Sequence, residues 1–219
     1  MSLSTVCENP YVGVKLLPKL LLATNNQGKA REYKHLLREL PYEIVTLAEQ
    51  GINTFVVETG HRLEDNARLK AVVLAQESQL LALADDSGLE VDALGGEPGA
   101  LSARYAGEGA SDKERVSYLL ARLEGVPREK RSARFRCVIA LATPDGEVEL
   151  CHGECHGFIA FEPRGKQGFG YDPVFYFPEL GKTLAELPLE IKNHVSHRGQ
   201  AARQVPQKLM RLTGSKYSG

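Results

Sequence analysis

The chain has 219 residues, 42% of them hydrophobic and 25% charged, the composition of an ordinary globular protein. At about 100–200 residues per domain this is one large domain or two closely packed lobes, with enough chain to bury a core without a disulfide or metal staple. Lys and Arg number 27 against 28 Asp and Glu, a net charge of −1, which argues against a dedicated duplex-DNA binder and still permits a local basic pocket for a small anion. No apolar run approaches the ~18–20 residues that a membrane helix needs. Residues 1–18 lack the basic start, continuous apolar stretch and small-residue cleavage site of a signal peptide, and read as an extension before the first strand. Four cysteines in a chain of this length make no disulfide framework, which points to a cytoplasmic setting.

Residues 19–23 form a short apolar run halted by Thr24, Asn25, Asn26, Gln27 and Gly28, a buried strand entering a polar turn. Tyr33, Leu36, Leu37 and Leu40 then recur at helical spacing over 29–40, with Pro41 as the stop. A second strand is predicted at 43–47 and a second helix at 63–76, through Leu63, Ala67, Ala71 and Leu74. Residues 80–84 predict another buried strand that ends at Asp85, Asp86, Ser87 and Gly88. The glycine-rich stretch 88–109 has little periodicity and is too long for a simple connector, the mark of a functional loop. Ser111 and Glu114 make a capping box for a helix through Val116, Leu119, Leu120 and Leu123. Strands are predicted at 133–143 and 147–161, with Pro144, Asp145 and Gly146 as the hairpin turn between them. A second glycine-rich loop, 165–173, precedes the apolar run 174–177, and a closing helix is predicted over about 198–212. Strands interleaved with helices, plus one hairpin, indicate α/β with a mixed sheet.

The turn at 24–28 opening onto a helix offers free amides, the positive end of a helix dipole and the charge of Lys29, which suits phosphate; an ordinary solvated turn has the same spacing. It is not a Walker loop, because Ala23 stands where the first glycine belongs. Gly181-Lys182-Thr183 fails in the same way at Tyr176, and no G-x-G-x-x-G follows a predicted strand. Asp85 and Asp86 at the end of a strand can hold Mg²⁺ through oxygen ligands or activate a water, with Glu58, Asp65 and Asp172 as further carboxylates; the plain reading is an Asx-type turn. Cys151, His152, Cys155 and His156 lack both the haem-attachment spacing and a second zinc ligand pair. On a strand the two cysteines share one face and the two histidines the other. Lys192, His194, His197 and Arg198 cluster cations and imidazoles ahead of the last helix, able to meet an anion or the acceptor edge of a base.

In order along the chain stand residues 23–32 (ATNNQGKARE), 58–60 (ETG), Asn66-Ala67 with Lys70-Ala71, and 84–96 (ADDSGLEVDALGG). Pro98-Gly99, 102–107 (SARYAG), 168–175 (GFGYDPVF) and 196–201 (SHRGQA) follow. Together they resemble the inosine/xanthosine triphosphate pyrophosphatase family, the house-cleaning enzymes for deaminated purine nucleotides. The resemblance implies a two-lobed α/β fold with a long mixed sheet, flanking helices and a central cleft, as a cytoplasmic homodimer with no stable nucleic-acid or membrane partner. It implies a domain over 19–214, flanked by the extension 1–18 and a tail at 215–219. The implied reaction is Mg²⁺-dependent hydrolysis of ITP, dITP and XTP to the monophosphate and pyrophosphate, which keeps these nucleotides out of DNA and RNA.

Carried over by position, Thr24, Asn25, Asn26, Gln27, Gly28 and Lys29 cradle the triphosphate. Asp86 is the catalytic acid and metal ligand, and Ser87 contacts substrate. Phe169, Gly170, Tyr171, Asp172 and Lys192 line the nucleoside pocket, with His197 and Arg198 at the base. Family members often carry two acids before Thr-Gly and the first is commonly the metal ligand; here Val57 takes that place and leaves Glu58 for the role. Two alternatives stand beside this reading: a nucleotide-binding module without turnover, and a related pyrophosphatase for pyrimidine or modified nucleotides.

Overall fold

The computed structural model describes residues 17–58, 60 and 62–214; the tail and nearly all of the expected extension lie outside them. The elements are β1 (Lys19–Leu22), α1 (Gln27–Leu36), β2 (Glu43–Thr46), α2 (Leu63–Ser78), β3 (Leu81–Val91), β4 (Pro98–Gly99) and α3 (Asp112–Arg122). They continue with β5 (Ser132–Ala142), β6 (Val148–Ile159), β7 (Phe175–Phe177), β8 (Lys182–Thr183), α4 (Leu189–Val195), α5 (His197–Ala202) and α6 (Val205–Gly214). One mixed sheet runs β2-β1-β3-β5-β6-β7-β8, with β4 paired to β3. β1 is parallel to β2 and β3, and the remaining pairs are antiparallel. Among the described residues no helix is long and apolar enough to cross a membrane.

Period-two alternation builds the core. Leu20, Leu22, Leu83, Ile139 and Leu141 face Tyr33 of α1 and Val205 and Leu209 of α6. Leu21, Ala82, Ala84, Val138 and Ala140 face Ala67, Ala71 and Leu74 of α2. Farther along the long strands, Leu89, Val91, Phe135 and Cys155 pack with Val116 and Leu119 of α3. Cys151 and Cys155 are buried on one face of β6 while His152 and His156 are exposed on the other, as the alternation requires.

Several elements depart from the expectation. β3 does not stop at Asp85: it runs on to Val91, because its ladder with β5 continues unbroken from Ala82↔Ala142 to Val91↔Ala133. The 88–109 stretch is therefore not a bare loop; it holds the end of β3, the strand β4 and a 3₁₀ turn at Ser102–Arg104. α1 starts two residues early and ends at Leu36, where a turn closed by Leu40 N–H to Leu37 O at 3.0 Å leads to Pro41. The closing helix expected over about 198–212 is two helices, α5 and α6, and α4 precedes them. Ser196 caps α5 by accepting from Gly199 N at 3.2 Å, and Pro206, without an amide hydrogen, is accommodated only in the first turn of α6.

α5 lies directly on β6, and Gly153 is what lets it: a Cβ there would sit 2.2 Å from His197 O and 2.6 Å from Ala201 N. Gly153→Val should cost at least about 2 kcal/mol of stability in urea unfolding, since the atoms it meets are backbone. An unchanged transition midpoint would contradict this packing account.

Candidate active site

β3 carries β1 on one edge as far as Leu83 and β4 from Leu89 onward. Residues 84–88 between them have no strand neighbour on that edge, and a cavity of about 500 Å³ opens there. This is also the carboxyl end of the parallel β1, where ligands settle in open α/β sheets. Lys70, reaching from α2, donates to the carbonyl of Asp85 at 2.7 Å and so satisfies a backbone group that the missing strand would have taken.

The turn after β1 leads straight into α1. Asn26 caps the helix by accepting from Lys29 N at 3.0 Å, while Thr24 Oγ1 accepts from Asn26 N at 3.2 Å. No acid stands in the first helical turn, and a helix start leaves its first amides without intrahelical acceptors. Gly28 approaches the second glycine-rich loop so closely that a Cβ would lie 2.5 Å from the Phe169 ring.

Strand parity sends Asp85 and Asp86 to opposite faces. Asp85 turns toward α1 and is fully buried, 3.0 Å from Lys29 Nζ and 3.6 Å from Arg198 Nε. Arg198 also donates to Glu32 at 2.6 Å and to Ser87 Oγ at 3.1 Å. Glu32 takes Lys192 on its other oxygen at 2.7 Å, and Lys192 in turn pairs with Asp172. Lys29, Asp85, Arg198, Glu32, Lys192 and Asp172 thus form a ladder of alternating charge, and every member from Asp85 to Asp172 is buried. Burial raises the carboxyls of Glu32 and Asp85, but the cations around them outweigh it: Arg198 and Lys192 hold Glu32 below the usual carboxylate range, and Lys29 and Arg198 do the same for Asp85.

Asp86 faces α2. Its Oδ2 accepts from Asn66 at 3.0 Å and its Oδ1 from its neighbour Ser87 N at 3.0 Å. Lys70 stands between Asp86, at 3.9 Å, and Glu58, at 2.6 Å. Burial pushes the Asp86 carboxyl above its ordinary value, more than Lys70 and Lys29 pull it back. Burial disfavours the Lys70 ammonium, yet Asp86, Asp85 and Glu58 together keep it above the usual value. Residues 52–58 pair with no strand, so the acid is free of sheet parity: Val57 and Glu58 both reach the cavity, and Glu58 stands beside Lys70.

At the far end the cavity is aromatic. The His197 ring stacks on Phe135 at 4.6 Å and 12°, and its Nδ1 is buried without a partner. Burial, with Arg198, Lys192 and Lys29 nearby, drives the imidazole well below its ordinary value, so it is neutral. Arg198 and Lys192 both lie over the Phe169 ring, at 5.3 and 4.9 Å. The 168–172 loop is fixed by Gly170 N donating to Asp112 at 2.6 Å and Phe169 N donating to Asp172 at 2.8 Å.

Of the residues expected to form the site, all but Gln27, Gly28 and Lys192 line this one cavity. Lys192, expected on the wall, is instead held behind Phe169 by its two carboxylates. Residues 20–208 match the Ham1 family. The chain belongs to the Ham1 family. The dITP/XTP pyrophosphatase of Desulforamulus reducens is 51% identical over 89% of this chain and 96% of its own. That of Geobacter sulfurreducens is 52% identical over 84% and 93%. Among solved structures, a HAM1 protein from Coxiella burnetii superimposes with a TM-score of 0.79 at 44% identity, over 89% of this chain and 99% of its own.

Within this Ham1 fold, sequence reading gave no role to Glu32, Asn66 and Lys70. Asn66 and Lys70 are four apart on α2, hence on one helical face, and that spacing was the available signal. Glu32 closes the 23–32 segment, but no local pattern gives it a partner, since its two cations are 160 and 166 residues away. Removing its charge strands two buried cations, so Glu32→Gln should cost about 3 kcal/mol or more in urea unfolding. The stability that Glu32 and Asp85 contribute is fully present above their ordinary values of 4.5 and 3.8 and is lost as pH falls through the lowered folded values. The wild type should therefore lose stability on acidification in that range, and Glu32→Gln should lose less; parallel curves for the two proteins would contradict the ladder.

Proposed function

We propose that this chain hydrolyses dITP, ITP and XTP to the nucleoside monophosphate and pyrophosphate, keeping deaminated purines out of DNA and RNA. The observation that carries the reading is a single cavity with a capped helix start and Lys29 at one side, a buried acid on its floor and an aromatic pocket with a neutral imidazole at its far end. The printed names of relatives at 51% and 52% identity support it. The reading takes residues 19–214 as the catalytic unit, in two packed lobes, with a cytoplasmic homodimer as its setting; those last points rest on the family resemblance alone.

Glu58 and Asp86 present only carboxylate oxygens, at the side of the cavity where Lys70 also reaches. Such a set fits Mg²⁺, a hard ion usually bound through one or two carboxylates plus waters and phosphate oxygens. Glu58 and Asp86 would hold the ion, and when bound it would neutralise charge on the triphosphate. Lys29 and the first amides of α1 bind and orient the phosphates. Asn66 and the Ser87 amide fix the plane of the Asp86 carboxylate, which takes the proton of the attacking water; its raised pKa brings it nearer the working pH of a base. The water attacks the α-phosphorus and pyrophosphate leaves. His197 and Arg198 meet the purine 6-oxo group; adenine's 6-amino group would place a donor against a donor, at a cost of about 1–3 kcal/mol.

Pyrophosphate release should be strong for dITP, ITP and XTP, weak for GTP, ATP and dTTP, and abolished by EDTA. Asp86→Asn should lower kcat by roughly 10²–10⁴-fold with dITP still bound. Near-normal turnover by that variant, or equal rates on ATP and dITP, would overturn the reading.

A further inference from the structure

The cavity wall carries five cations: Lys29, Lys70, Arg104, Arg115 and Arg198. Four are already matched by acids: Lys29 by Asp85, Lys70 by Glu58, Arg115 by Asp112, and Arg198 by Glu32. Arg104 alone has no ion pair and donates no side-chain hydrogen bond to another described residue. A structural arginine looks different. Arg131 gives its N–H groups to Val126 O, Ala160 O and Leu123 O at 2.8–3.1 Å, and Arg115 gives its own to Ala103 O and Ala110 O.

The turn that bears Arg104 is held on several sides. Ser102 Oγ accepts from Leu89 N at 2.9 Å and donates to Gly99 O at 2.6 Å. Tyr171 donates to Ser102 O, and Arg115 to Ala103 O, both at 2.9 Å. The turn is therefore tied to β3, to the 168–172 loop and to α3, across the unpaired β3 edge from the Lys29 turn. Its backbone is fixed while its guanidinium is left to a ligand.

We propose that Arg104 binds the phosphate chain of the substrate from the β4 side of the cleft, opposite Lys29; this rests on the triphosphate reading above. A triphosphate brings about four negative charges, and the guanidinium fork suits phosphate oxygens in a bidentate pair. The protein otherwise offers that chain mainly cations whose charge an acid already balances, which leaves Arg104 as the wall's uncommitted charge.

The test compares wild type, Arg104→Gln and Arg104→Lys by dITP kinetics, with inorganic triphosphate and inosine as competitive inhibitors and thermal unfolding as the fold control. Arg104→Gln should raise the KM for dITP and the inhibition constant of inorganic triphosphate about 10-fold or more and flatten their salt dependence. Inhibition by inosine and the thermal midpoint should stay put, and Arg104→Lys should recover part of the loss. If wild type hydrolyses dITP and Arg104→Gln retains its affinity for inorganic triphosphate, the assignment falls while the function stands. If the wild type hydrolyses none of the deaminated triphosphates, the function falls, and the assignment with it.

Discussion

The Glu32 carboxylate holds two cations that lie more than 150 residues away in sequence, and the rest of the site depends on that junction. Through Arg198 it reaches Asp85 and the Lys29 turn; through Lys192 it reaches Asp172 and the loop that carries Phe169. Burying charges is expensive unless each is paired. Alternation along the ladder meets that condition, and it links the Lys29 turn, the centre of β3, the 168–172 loop and α5 into one frame. The arrangement gains little stability over an apolar core of the same volume; what it supplies is a fixed relative position for parts of the chain that share no strand.

Adjacent aspartates illustrate how the fold divides labour. Asp85 and Asp86 are chemically identical neighbours on β3, yet parity puts one against α1 among cations and the other against α2. Asp85 is held below the usual range and serves the frame. Asp86 is raised by burial, keeps its plane through Asn66 and Ser87 N, and faces the cavity. The cavity itself exists because β1 ends before β3 does and β4 begins only at its far part. A continuous neighbour strand would have covered the edge where Asp86 and Ser87 now meet the open space.

Much of this was legible in the sequence. The apolar runs of β1 and β5, the helical spacing of α2, the Ser111–Glu114 capping box and the hairpin at 143–147 were all visible as local patterns, and the family motifs marked most cavity residues. What was not legible depended on pairing. The Asp85–Gly88 tetrad breaks the apolar run, so the local pattern ends the strand where its ladder with β5 carries on. The split of the last helix turned on Pro206, and the inward placement of Lys192 turned on Glu32, a partner no local window contains. Val57 raised the question of which acid serves as ligand; Glu58 lies at the cavity because 52–58 is not constrained by a sheet.

The central claim is that a water oriented by Asp86 attacks the α-phosphorus, so that the leaving group is intact pyrophosphate. Turnover of dITP in ¹⁸O-labelled water reads this directly. The account predicts one ¹⁸O in the deoxyinosine monophosphate and none in the pyrophosphate. Label in pyrophosphate or in free phosphate would place the attack at another phosphorus and contradict the reading of Asp86 as the acid that orients the attacking water.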